Sequence, residues 1–255
     1  MVASLAGSLA VVTGAVAYAH DQAHAKDGEN KRHHRDHRGG LLGAAQKLDS
    51  ITAEQRASIE QLVAQRKTAS VPVRQADAQV LTVLAQQVEQ AKIDPQGLAP
   101  SLSAEQSAAA AETTVDRDTL NQLHSILSAA QRSQLVDRIE AARTKHEQAE
   151  QHEGAKERFG FGLGLTPEQQ TQIRANLGGE AGPNGSAVKE SRASMLGAFR
   201  GDSFDASAFV NARIPGQHME RLAEAMVPVL SPSQRATFAS HLRMRAQHES
   251  SPKRS

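Results

Sequence analysis

Four times along this chain an aliphatic residue leads into a short polar run, and apolar residues then follow at helical spacing. The runs are Ile51-Thr52-Ala53-Glu54-Gln55, Leu127-Ser128-Ala129-Ala130-Gln131, Leu165-Thr166-Pro167-Glu168-Gln169 and Leu230-Ser231-Pro232-Ser233-Gln234. Four residues after each Gln stand Ile59, Leu135, Ile173 and Phe238; eight after stand Val63, Ile139, Leu177 and Leu242. That spacing puts both on one face, so each run opens an amphipathic helix with the same face inward. The polar run itself reads as a capping box. The Thr or Ser hydroxyl accepts from the backbone N–H three residues on, and the Gln there bonds back to the N-cap N–H. Pro167 and Pro232 fall at the first helical position, and Glu54 and Glu168 in the first turn, where each is favoured. Arg56, Arg132, Gln170 and Arg235 occupy the position that would complete a hydrophobic staple. The leading Ile or Leu is therefore expected to pack in the tertiary core. A fifth match, Leu102-Ser103-Ala104-Glu105-Gln106, has Ala110 and Thr114 downstream and reads as coincidence.

The boxes form two pairs, 76 and 65 positions apart. Between the members of each pair lies an apolar segment and then an Asp that reads as a helix start, Asp94 in the first half and Asp205 in the second. Each Asp precedes an Ala-rich stretch running into the second box, which suggests an internal duplication of a four-helix unit. The pattern predicts an all-α chain with helices near 42–48, 53–69, 73–92, 96–125, 129–150, 167–177, 187–200, 206–229 and 232–248. Pro215-Gly216 puts a helix-breaking pair inside the eighth of these.

These residues resemble the small periplasmic proteins typified by Spy and CpxP, which carry two L-T-x-x-Q motifs per chain. The resemblance covers most of residues 41–250, twice over. It implies two tandem helical units, 41–152 and 165–250, pairing within one chain into a curved, cradle-like assembly, with 153–164 as linker and 251–255 disordered. Family members of this kind are all-helical antiparallel dimers; some are ATP-independent chaperones, some also restrain an envelope-stress sensor kinase, and relatives bind zinc, nickel or cobalt. The implied partners are unfolded client proteins, with a sensor kinase as the alternative, and the implied state is a monomer acting as an intramolecular pseudo-dimer.

Composition sharpens this picture. All six Phe lie in the second half, so the first half must build its interior from Leu, Ile, Val and Ala. Such a core is thin, and the halves are expected to need each other. Residues 41–150 carry 11 basic and 14 acidic side chains, a net of −3; residues 151–255 carry 13 and 10, a net of +3. Opposite signs favour pairing of the halves. The whole-chain charge of +1 argues against a nucleic-acid binder.

Residues 1–19 read as a secretory leader, with Ala17-Tyr18-Ala19 fitting the cleavage pattern but no Lys or Arg before the apolar stretch. That places the mature protein in the periplasm without stable membrane insertion. There is no Cys, hence no disulfide and no thiolate metal ligand. Residues 20–40 are polar and His-rich and are expected to be disordered. Within them His33, His34 and His37 could converge on a divalent metal, the only cofactor the sequence suggests; neighbouring Arg and Lys charges oppose it, and a solvated tail is the plainer reading.

No nucleophile–base–acid arrangement is visible, and the helical histidines are scattered, so no enzymatic activity is expected. The functional expectation is a chaperone-like binding protein. A single curved layer of amphipathic helices would leave an apolar stripe exposed for clients. Arg56, Arg132, Arg174 and Arg235 on the box helices would attract acidic client segments, or else simply be solvated. A metal sensor or buffer working through the tail, or a regulator of a sensor kinase, is the alternative.

Overall fold

In the computed structural model, residues 40–152, 162–178, 185–212 and 214–251 are described. The leader, the His-rich tail with His33, His34 and His37, most of the 153–164 linker and residues 252–255 lie outside them. The described residues form eight α-helices and one 3-10 turn, without a strand. The helices are α1 (Gly40–Ala45), α2 (Ala53–Glu89), α3 (Pro95–Ile126), α4 (Ala129–His152), α5 (Pro167–Asn176), α6 (Gly185–Arg200), α7 (Pro215–Met226) and α8 (Pro232–Ser250), with the 3-10 turn at Ala206–Ala208.

Two of these bounds correct the sequence expectation. The pattern predicts a break at Pro72, yet α2 runs through it as one 37-residue helix. Proline in a helix interior costs about 3 kcal/mol. Here both flanks are anchored, Ile59 and Leu62 on one side and Val80, Leu81, Leu84 and Val88 on the other, all buried. Tertiary packing on that scale overrides local propensity. The predicted 206–229 helix, by contrast, forms only in its second half. Asp205 caps only a single 3-10 turn, and among the described residues no helix follows until Pro215 opens α7 at its first position. The reason lies on α3. Arg117, Asn121 and His124 stand at i, i+4 and i+7, on one helix face. Arg117 Nε donates to Val210 O at 2.9 Å, Ala206 N donates to Asn121 Oδ1 at 2.9 Å, and His124 Nε2 lies 2.9 Å from Gly201 O. Residues 201–210 are thus held along α3 as a strap, three of whose backbone groups are bonded to α3 side chains.

The α2–α3 hairpin is the body of the fold. Its turn is closed by Gln87, whose Oε1 accepts from Asp94 N at 2.9 Å and whose Nε2 donates to Asp94 O at 3.2 Å. Asp94 in turn caps α3, as its sequence position predicts. Each end of the hairpin enters a different hydrophobic core. One core joins α1, the start of α2, the end of α3 and α4, through Leu42, Ile59, Leu123, Leu127 and Leu135, and it is completed by Leu196 and Phe199 of α6. The other joins the second half of α2 to α7 and α8, through Leu81, Leu84, Met226, Phe238 and Leu242. Between the two cores the hairpin carries buried polar groups: Arg66 Nε bonds Asp116 at 2.9 Å, and Asp77 of α2 pairs with Arg245 of α8 at 3.1 Å. Arg38–Ser255 form one compact unit.

The cores are therefore shared between the halves of the sequence. The first half, which has no Phe of its own, receives Phe199, fully buried beside His124 with ring centroids 5.3 Å apart. The second half packs α7 and α8 onto Val80, Leu81 and Leu84 of the first. Charge follows the same division. Arg200 reaches Asp137 and Glu140, Arg243 forks onto Glu89 at 2.6 and 2.5 Å, and Arg245 meets Asp77. Arg132 with Asp202 runs the other way at 3.2 Å. The exposed pairs add little stability and mainly fix which surfaces meet.

Candidate functional site

All four boxes cap helices. Thr52, Thr166 and Ser231 each receive the backbone N–H of the Gln three residues on, at 3.2, 3.2 and 3.3 Å, and Ser128 receives that of Gln131 at 3.3 Å. Each Gln Oε1 accepts from the N-cap N–H in return, at 2.9 to 3.0 Å. Glu54 and Glu168 in the first turns have carboxyl pKa values below the ordinary range; the Thr52 hydroxyl is the main cause at Glu54, and at Glu168 its own backbone N–H, followed by the Thr166 hydroxyl.

What the sequence did not disclose is that the boxes meet in pairs. Gln55 Nε2 donates to Gln131 Oε1 at 2.9 Å, and Gln131 Nε2 donates to Gln55 Oε1 at 2.9 Å. The second N–H of each amide reaches a backbone carbonyl just ahead of the other box: Gln55 to Ile126 O at 2.7 Å, Gln131 to Ser50 O at 2.8 Å. The same arrangement recurs in the second half. Gln169 and Gln234 exchange bonds at 2.9 and 3.1 Å, Gln169 reaches Val229 O at 3.0 Å, and Gln234 reaches Leu163 O at 3.2 Å and Gly164 O at 3.4 Å. Each clasp thus uses both donors and both acceptor lone pairs of two carboxamides. Glu has no donor to offer, and Asn is one methylene too short to reach. A capping box tolerates Glu as readily as Gln; the uniform choice of Gln at all four positions was the available sign of a second task.

The leading aliphatics lie where expected. Ile51, Leu127 and Leu230 are buried, and Leu165 packs at the edge of its core. The residue after the Gln, which cannot staple, bonds instead to the carbonyl of the leading residue: Arg132 to Leu127 O at 3.0 Å, Arg235 to Leu230 O at 2.6 Å and Gln170 to Leu165 O at 3.3 Å. Arg56 departs from this and reaches Gln46 O at 2.7 Å. Of the four arginines on the box helices, Arg56 and Arg174 are exposed, Arg235 is half-buried and Arg132 is buried. Arg132 is neither a solvated charge nor a surface contact; its head is committed to Leu127 O and Asp202.

The exposed apolar stripe expected of a single layer of helices is absent from the described residues, where Val71 and Met244 are the only exposed large hydrophobics. α2 has α3 of its own half and α7 and α8 of the other half packed around it, so its apolar faces are covered. No group of three or more metal-ligating side chains occurs among the described residues, and none of their helices is long and apolar enough to cross a membrane. Compared with family models, with characterised proteins and with solved structures, the chain matches none of them.

Proposed function

We propose that this chain is a tandem, L-T-x-x-Q-type helical binding protein of the periplasm, similar to Spy and CpxP, that holds unfolded or partly folded clients without ATP. One observation carries the reading. Two equivalent glutamine clasps, one in each half, each belong to a core that the other half completes. A duplicated unit standing in for the two subunits of a dimer accounts for that arrangement. The leader at residues 1–19 would deliver the protein across the membrane, leaving a mature chain that begins at His20.

The described residues offer a client little exposed apolar surface, so on this reading capture draws on surface that an opening of the fold uncovers. In light scattering without ATP, residues 20–255 should suppress aggregation of an unrelated unfolding protein. Undiminished scattering at a several-fold molar excess would overturn the reading.

A further inference from the structure

Glu105 belongs to the fifth sequence match, and it caps nothing in its own helix. It lies in the interior of α3, fully buried, with both carboxylate oxygens turned to one backbone group of another helix. Gly216 N donates to Oε1 at 2.9 Å and to Oε2 at 3.1 Å. Gly216 is the second residue of α7, where Pro215 has no N–H and the N-cap residue Ile214 makes no side-chain cap bond. A carboxyl group from the first half thus supplies the missing cap to a helix of the second. The approach is so close that a Cβ on Gly216 would overlap the carboxylate and come within 2.9 Å of Val80 Cγ1.

We propose that Glu105 is a proton-linked latch on α7, closed while its carboxyl is protonated and loosened on ionisation, and that release of α7 uncovers the apolar surface on which clients bind. The second clause rests on the proposed function; the first does not.

Burial, acting first, pushes the Glu105 carboxyl up to about 7; the Gly216 N–H opposes this, Asp77 adds to it and Arg245 opposes it. Around the site α2 brings Asp77, with Arg74 one turn earlier, α8 brings Arg245, already paired with Asp77, and α7 carries His218 on its exposed side. The sign follows from linkage. Any state in which Glu105 meets water has the lower, ordinary pKa, so the latched state holds its proton more tightly and loses ground as pH rises towards neutrality. On α7 itself, burial first and then the neighbouring Glu224 raise the pKa of Glu220. The inward face of α7 is Met219, Leu222, Ala223 and Met226, packed in the core that holds Val80 and Leu84 of α2. Detaching it would expose two apolar faces, of which that of α7 carries the adaptable Met219 and Met226.

The test uses the full mature chain. In an NMR pH titration the Gly216 amide should shift with a midpoint near neutrality. Hydrogen-exchange protection of α7, corrected for intrinsic rates, should fall about tenfold or more between about pH 5 and about pH 8, and bis-ANS fluorescence should rise with it. Glu105→Gln, which keeps the shape and cannot ionise, should flatten all three. Should that variant not fold, Asp77→Asn serves instead and must lower the midpoint by removing the neighbouring negative charge. A Gly216 amide that does not titrate, or titrates in the ordinary carboxylate range, overturns the latch, as does an unmoved midpoint in Asp77→Asn. A titrating latch with flat dye fluorescence overturns the uncovering of apolar surface. Titration and dye binding in a protein that fails the aggregation assay would sink the client reading alone.

Discussion

Replacing Gln131 by Glu separates a clasp from a cap. If the box only caps α4, the change is harmless, because a Glu still bonds back to Ser128 N and a first-turn anion gains about 0.3–1 kcal/mol from the helix dipole. In the clasp the same change removes both N–H donors. Gln131 Nε2 gives one bond to Gln55 Oε1 at 2.9 Å and one to Ser50 O at 2.8 Å. Each such bond is worth about 1 kcal/mol net, and an acceptor left facing an anion in a site only 8% exposed loses more than the bond. The expected loss is about 2–4 kcal/mol, a large part of the margin by which a domain is stable. Urea unfolding followed by far-ultraviolet circular dichroism measures it, with an unchanged m value as the check that the transition stays two-state. A Gln55→Ala/Gln131→Ala double-mutant cycle then isolates the reciprocal pair, for which a coupling of about 1–2 kcal/mol is expected. A neutral or stabilising Gln131→Glu, with Gln55 and Gln131 additive, would refute the clasp and leave only the cap.

Thr166→Ala and Ser231→Ala should each cost on the order of 1 kcal/mol, since the Gln169 and Gln234 N–H groups lose their acceptors; unchanged denaturation midpoints would contradict this. Phe199→Ala should cost about 3–5 kcal/mol. Because Phe199 lies among Leu123, Leu127 and Leu135, the same variant should raise hydrogen exchange around the Gln55–Gln131 clasp before the Gln169–Gln234 clasp. Equal loosening of both would mean the second half does not support the first-half core in this way.

The sequence made the helix starts and the inward positions legible because both are local. Ile59, Leu135, Ile173 and Phe238, read at helical spacing, are all fully buried, and Asp94 and the boxes cap as their chemistry requires. The missing Phe in the first half also pointed correctly to a shared interior. Harder to read were features decided by residues far apart in sequence. Pro72 looks like a stop until α2 is seen anchored on both sides, and the start of the expected 206–229 helix looks helical until Arg117, Asn121 and His124 claim the strap. Arg132 has the sequence context of a surface charge and is buried by α6 and its strap. Glu105 gave no sign at all, because its partner is a glycine N–H 111 residues away. The expectation of an exposed apolar stripe assumed one layer of helices, and the α2–α3 hairpin is instead covered from several sides.

The central claim is that each half completes the other, and splitting the chain tests it most directly. Residues 41–150 alone lose Phe199 and every contact from α7 and α8. They should be poorly helical, or self-associate through Ile59, Leu135 and their neighbours. Adding residues 151–255 as a separate fragment should restore helicity and give a one-to-one complex, because the linker contributes only effective concentration. Circular dichroism with analytical ultracentrifugation measures both. A 41–150 fragment that folds cooperatively as a monomer and ignores 151–255 would contradict the account.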